Sequence, residues 1–380
     1  MGIYLDNAST TVLRKEVYAE MKPYFEEHFG NPSSLHNLGI RNRKIINQSR
    51  KKIANLLNCS NKEIYFTSCG TESINWAIQG IALENRTKSE IVTTRVEHHA
   101  TLETMTFLEK RGYVLKYVNT DENGFVDLDH LDEIINENTM LVSIIMANNE
   151  IGTIQNVKAI SEICLKNSVY LHLDAVQALC HTPVDLSLPG IDLVSFSGHK
   201  FNAPKGIGIL YIKEGTKLGS LLHGGKQEND KRAGTENIAF IVGITKALEI
   251  GLNDYKQYVD RLNKYSNYII DQLNVNNIDY ILNGPEIGPN RLPGNINISF
   301  KDLDGDTLTF YLNKEGLYVS TGSACDSTSI EPSHVVSAIG VPENYIDATL
   351  RITSGYQNTF EEIKEASKIL IETIKKIKDV

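Results

Sequence analysis

Three residues stand where side chains of their type can do covalent chemistry. Lys200 falls in SFSGHKFNAPKG, among small residues and just after the apolar run LVSFS. An amine partly withdrawn from water at a strand end is a nucleophile able to form a Schiff base, although most lysines are solvated and inert. Asp174 closes the apolar run YLHLD. A carboxylate carried there needs a partner: a salt bridge, a helix cap, or the protonated ring nitrogen of a heteroaromatic cofactor. Cys325 lies in STGSACDSTS, among Gly and Ser rather than apolar residues, the setting of a reactive thiol. Asp326 beside it opposes thiolate formation, so a cation or base must come from elsewhere.

Further polar groups follow other apolar runs. In FTSCGTES, Gly70 permits close backbone approach and Thr71 opens a helix whose free N–H groups favour an anion such as phosphate. Ser, Gly and Thr also make ordinary helix starts, so this cluster alone does not decide. One of His98 and His99, in VEHHA, can stack on a flat ring, or both can be structural. Asn149 and Gln177 suit a phenolic oxygen. With Lys200 and Asp174 they make a coherent pyridoxal phosphate set. Arg351, in ATLRITS, can clamp a substrate carboxylate or form an exposed ion pair.

The elements that must position these groups can be read from the pattern. Between residues 64 and 211, the runs IYF, IVTT, VLKYV, LVSII, YLHLD, LVSFS and IGILYI alternate with helical-period segments. The repetition predicts a mainly parallel sheet covered by helices, with ligands outside the carboxyl ends of the strands. A continuous helix is predicted from Thr235 to about Leu273, followed by a turn-rich junction, NGPEIGPNRLPGN, then strands at INISF and LYVS. Thr359 and Glu362 form a capping box ahead of a closing amphipathic helix.

Composition narrows the function. A 380-residue chain, 41% hydrophobic, with net charge -9 is a globular protein that does not favour nucleic acid or an anionic membrane as its main partner. No uncharged apolar run reaches the roughly 18 residues of a membrane helix, and MGIYLDNAST does not read as a secretory signal, so a cytoplasmic location is expected. Five cysteines without a C-x-x-C pair argue against a disulfide framework and a metal site. Cys59, Cys164 and Cys180 sit among apolar neighbours and read as buried filler.

The motifs YLDNASTT, FGNPSSLHNLG, FTSCGTESIN, VEHHA, NNEIG, HLDAVQ, SFSGHK, PKGIGILY, RAGTEN and TGSACDSTSIEPSHV occur in this order. Together they resemble a cysteine desulfurase of the NifS/IscS type, within the aminotransferase class V superfamily, from Tyr4 to about Gly355. The resemblance implies an α/β PLP-dependent transferase fold of type I. It implies a large cofactor-binding domain (14–251) with a seven-stranded, mainly parallel sheet, and a smaller α+β domain built from 1–13 and 252–380. It implies a homodimer. Lys200 would bind pyridoxal 5'-phosphate, Asp174 would pair with its ring nitrogen, and His98 would stack on the ring and assist proton transfer. Asn149 and Gln177 would meet the ring substituents. Thr71, with Gly70 at the same helix start, would hold the phosphate with Ser197 and His199, joined by Thr235 of the second subunit. Arg351 would bind the carboxylate of L-cysteine, and Cys325 would take its sulfur as a persulfide. An iron–sulfur scaffold or a tRNA-thiolation protein would accept that sulfur. Selenocysteine lyase and aminotransferase activity are the enzymatic alternatives, and a silent assembly partner is the non-enzymatic one. Ser9 stands where alanine is frequent and Asp326 where threonine is common; neither is expected to touch the core chemistry. Cys69, often glycine, is an inert filler or a second thiol near the phosphate.

Overall fold

The computed structural model describes residues 2–85, 87–321 and 332–378. Among the described residues thirteen strands are formed: β1 (Ile3–Tyr4), β2 (Ile64–Thr67), β3 (Glu90–Thr94), β4 (Val114–Val118), β5 (Thr139–Ile145), β6 (Tyr170–Asp174), β7 (Leu193–Ser197), β8 (Gly208–Ile212), β9 (Tyr280–Leu282), β10 (Asn295–Phe300), β11 (Leu317–Tyr318), β12 (Ser320–Thr321) and β13 (Thr349–Thr353). Strands β2 to β8 make a seven-stranded sheet in the order β2-β8-β7-β6-β5-β3-β4. Only β8 runs against its neighbours, β2 and β7. The central strands are buried along their whole length, as apolar runs covered by helices on both faces must be.

Alternation along each strand feeds two cores. Val142, Ile144, Leu171, Leu173 and Val194 pack with Ile46, Ile53 and Ile244 on one face. Leu141, Leu193 and Leu210 pack with Ile74, Trp76, Ile78 and Met105 on the other. Ser143, His172 and Ser195 lie across β5, β6 and β7 in adjacent registers. His172 Nδ1 meets Ser143 Oγ at 2.8 Å and His172 Nε2 meets Ser195 Oγ at 2.9 Å, so these buried polar groups satisfy one another. Burial holds His172 neutral, its pKa lowered to about 3.

The antiparallel sheet β12-β13-β10-β9 forms a separate core with the helices Tyr255–Val275, Gly305–Lys314 and Phe360–Lys378. The closing helix carries the capping box: Thr359 N–H donates to Glu362 at 2.8 Å and Glu362 N–H donates to Thr359 Oγ1 at 3.2 Å. The N-terminal segment crosses between the two cores. Strand β1 pairs with β11, Asp6 bridges to Thr353, and Thr11 N–H donates to the His199 carbonyl at 3.0 Å.

One predicted element is corrected. The continuous helix from Thr235 to about Leu273 is two helices, Ile238–Asn253 and Tyr255–Val275, meeting at Asp254. Asn237 caps the first through its side chain, which accepts from the Phe240 N–H at 3.2 Å. Among the described residues no helix is long and apolar enough to cross a membrane.

Candidate active site

The carboxyl ends of β2, β3, β5, β6 and β7 open on one cavity of about 400 Å³, closed from the other side by Ala8, Ser9 and Arg351. Gly70, Thr71, His98, Asn149, Asp174, Gln177, Ser197, His199 and Lys200 all line it. Strand ends supply these groups because the sheet's backbone bonds stop there, leaving side chains and amide groups to face a ligand.

Asp174 is the last residue of β6 and only 2% exposed. Its Oδ1 accepts from the Val176 N–H at 3.0 Å. Burial pushes its pKa up to about 6 against the lowering pull of Lys200. Buried Glu97 nearby is pushed to about 8, chiefly by desolvation and also by the Asp174 charge, and is a neutral acid at pH 7. Asp174 is thus a carboxylate that gains by meeting a cation in the cavity.

Lys200 ends a single 3-10 turn, Gly198–Lys200, that follows β7 directly. Its Nζ donates to the carbonyls of Ala8 at 2.6 Å and Ser9 at 3.0 Å. His98 caps the helix His99–Glu109, its Nδ1 accepting from the Ala100 N–H at 3.0 Å. Burial first, then the Lys200 charge, lowers its pKa to about 4, so it presents a neutral ring at pH 7. His199 is lowered to about 4 for the same two reasons, and its Nδ1 meets Thr10 Oγ1 at 3.1 Å.

The helix Gly70–Glu84 points its N-terminus at the cavity. Packing is close at its first residue: a Cβ on Gly70 would come within 2.8 Å of Val176 Cγ2 and 3.2 Å of Ser197 Cβ. An anion can therefore reach the backbone there as it could not past a larger side chain. Cys69 caps this helix, its Sγ accepting from the Glu72 N–H at 3.5 Å, and it also lines the cavity. Gln177 Nε2 donates to the Ala8 carbonyl at 2.8 Å, leaving its amide oxygen toward other partners. Asn149 keeps its backbone carbonyl on Arg351 NH1 at 3.3 Å.

Arg351 departs from the exposed ion pair considered for it. It sits in β13, 3% exposed, with NH2 donating to Asp6 Oδ1 at 3.0 Å and Ser9 Oγ at 2.6 Å. Its Nε is buried and has no hydrogen-bond partner among the described residues. Ser9, expected to stand clear of the chemistry, touches this guanidinium directly. Thr235 is exposed and lies outside the cavity lining. Cys325 and Asp326 lie outside the described residues. Two groups were missed in the sequence: Glu150, from ANNE, and His334, from EPSHV, which also line the cavity. The His334 ring meets that of His99 at 4.7 Å between centroids. The other cysteines behave as filler: burial raises Cys59, Cys164 and Cys180 each to about 12. Among the described residues no cluster of His, Cys, Asp and Glu could hold a metal ion.

A seven-stranded sheet with a strand-end lysine, a buried aspartate and a helix N-terminus around one cavity defines the class. The chain belongs to the aminotransferase class-V family, whose pattern matches residues 3–365. Within it, the chain is 47% identical over 379 residues to the cysteine desulfurase IscS of Dictyoglomus turgidum, covering 100% of this chain and 96% of that one. A solved structure described as a NifS-like protein superposes with a TM-score of 0.93 at 37% identity, covering 99% of this chain and 100% of that one. A second, SspA in complex with cysteine, superposes with a TM-score of 0.81 at 32% identity over 92% of this chain and 98% of that one.

Proposed function

We propose that this enzyme is a pyridoxal phosphate-dependent cysteine desulfurase, removing sulfur from L-cysteine to give L-alanine and a persulfide on Cys325. The observation that carries the proposal is the joint placement of Lys200, Asp174 and Arg351 on one cavity. An amine, a buried carboxylate and a guanidinium are the complement of a carbonyl cofactor, its ring nitrogen and an amino-acid carboxylate. The full-length identity to cysteine desulfurase IscS supports the same activity.

In this assignment Lys200 Nζ attaches the cofactor and Asp174 pairs with its ring nitrogen. The bound cofactor supplies an electron sink for the substrate's α-carbon. His98 covers the ring face; with Nδ1 accepting from Ala100, its ring hydrogen is on Nε2, the atom that gives and retakes a proton. Asn149 and Gln177 meet the ring substituents. Gly70, Thr71, Ser197 and His199 hold the phosphate, with Thr235 contributed across a homodimer. Arg351 holds the carboxylate, fixing which end of the substrate faces the thiol.

Sulfur then moves by attack of the Cys325 thiolate on the substrate sulfur. The substrate carbon–sulfur bond breaks as the sulfur–sulfur bond forms, and the carbon left behind is protonated to alanine. The persulfide passes to an acceptor, an iron–sulfur scaffold or a tRNA-thiolation protein. The free thiols of Cys59, Cys69, Cys164 and Cys180 suit a reducing cytoplasm. We further assign residues 14–251 to a cofactor domain and 1–13 with 252–380 to a smaller one, in keeping with the separate core around β10 and β13. Purified protein given L-cysteine and a reductant should release alanine and sulfide in equal amounts. A preparation carrying the cofactor that forms no alanine would refute the assignment.

A further inference from the structure

The turn from Asp6 to Thr10 touches both ends of the cavity's chemistry. Tyr4 OH fastens it, donating to the carbonyls of Asp6 at 2.9 Å and Thr10 at 2.8 Å. Its backbone faces the amine: the carbonyls of Ala8 and Ser9 receive Lys200 Nζ. Its side chains face the guanidinium. Ser9 Oγ donates to Asp6 Oδ1 at 2.8 Å and accepts from Arg351 NH2 at 2.6 Å, and Asp6 Oδ1 accepts from the same NH2 at 3.0 Å. The three groups close a triangle around one guanidinium nitrogen.

A guanidinium is planar, so fixing NH2 leaves rotation about few bonds, and the Asn149 carbonyl on NH1 at 3.3 Å removes much of what is left. Nε of this cavity-lining side chain is buried and unpartnered among the described residues, an unmet donor. We propose that Ser9 is a specificity-determining positioning residue, whose hydroxyl, anchored by Asp6, fixes Arg351 for the carboxylate of an α-amino acid. The inference rests on Arg351 being the carboxylate-binding group. Because one turn holds both the amine's docking carbonyls and the guanidinium's anchor, the spacing between the two ends of the site is set by a few residues. An α-amino acid, with its amine and carboxylate on one carbon, is the substrate class that such fixed spacing selects.

Ser9→Ala removes the hydroxyl and keeps both backbone carbonyls, so it loosens the guanidinium without disturbing Lys200. The test is equilibrium binding to the cofactor-loaded enzyme by calorimetry, using L-alanine and ethylamine, the same amine without a carboxylate. Ser9→Ala should weaken L-alanine about tenfold, the order of one hydrogen bond to a charged group, and leave ethylamine unchanged. Ser9→Thr, which keeps a hydroxyl, should restore L-alanine binding. In turnover, Ser9→Ala should raise KM for L-cysteine more than it lowers kcat. Wild-type L-alanine affinity in Ser9→Ala, with Arg351→Ala still losing L-alanine selectively, would overturn the role of Ser9 alone. Equal losses of L-alanine and ethylamine in Arg351→Ala would overturn the carboxylate assignment beneath it.

Discussion

Asp174→Asn should stabilise the cofactor-free protein while depriving it of function. The folded chain raises this carboxyl from 3.8 to about 6, chiefly by burial. Holding it charged therefore costs about 3 kcal/mol, at ~1.4 kcal/mol per pKa unit. A raised carboxyl pKa means that the folded state binds the proton more tightly than the unfolded chain. The penalty is absent below pH 3.8, grows through the window up to pH 6, and is complete above it. Asn keeps the shape and its oxygen can still accept from Val176 N–H, so the substitution removes the charge and little else. For 380 residues the unfolding entropy is roughly 0.8 kcal/mol per kelvin, and ~3 kcal/mol amounts to a rise in Tm of about 4 °C. Calorimetric melts of the two cofactor-free proteins at pH 8, pH 5 and pH 3.5 measure this. The gain should be largest at pH 8, about half as large at pH 5 and nearly gone at pH 3.5. A gain independent of pH, or a lower Tm for the variant at pH 8, would refute the argument that Asp174 is held charged for a cationic partner.

Gly70→Ala should weaken cofactor binding at least tenfold, measured by fluorescence titration, because its Cβ would press on Val176 and Ser197 at the helix start proposed to hold the phosphate. Glu228→Gln should cost about 3–5 kcal/mol in denaturant unfolding, since buried Arg50 loses a partner that meets it twice at 2.7 Å. Lys200→Ala should bind the cofactor reversibly and lose the absorbance of the covalent attachment, read by difference spectra after gel filtration.

Much of this site was legible because a parallel sheet buries its strands on both faces. The apolar runs therefore stood out, and polar residues just beyond them line the candidate cavity. YLHLD and LVSFS pointed to Asp174 and Lys200 in this way. The break at Asp254 was missed: Gly251 stands three residues before it but lies within the first helix, and the Asp254 N–H is still bonded to the Ile250 carbonyl at 3.0 Å, so the helical pattern runs into the junction without a sharp stop. Nor was the contact between Ser9 and Arg351, which are 342 residues apart and meet only because Asp6 bridges to Thr353 beside β13. Arg351 read equally as a carboxylate clamp or an exposed ion pair, because an alternating run on a half-covered strand has the same pattern whether or not another segment covers it. His334 belonged to no apolar run. Its place in EPSHV was visible, but its approach to His99 depends on the packing of the helix His334–Ala338 against the cavity.

The central proposal is that substrate sulfur moves to one thiol in this chain. A single-turnover reaction with L-cysteine, quenched by an alkylating agent and followed by peptide mass spectrometry, tests it directly. One added sulfur atom on Cys325 for each alanine formed is the predicted result. Alanine formed at the wild-type rate by Cys325→Ser, or added sulfur found on Cys69 and none on Cys325, would contradict it.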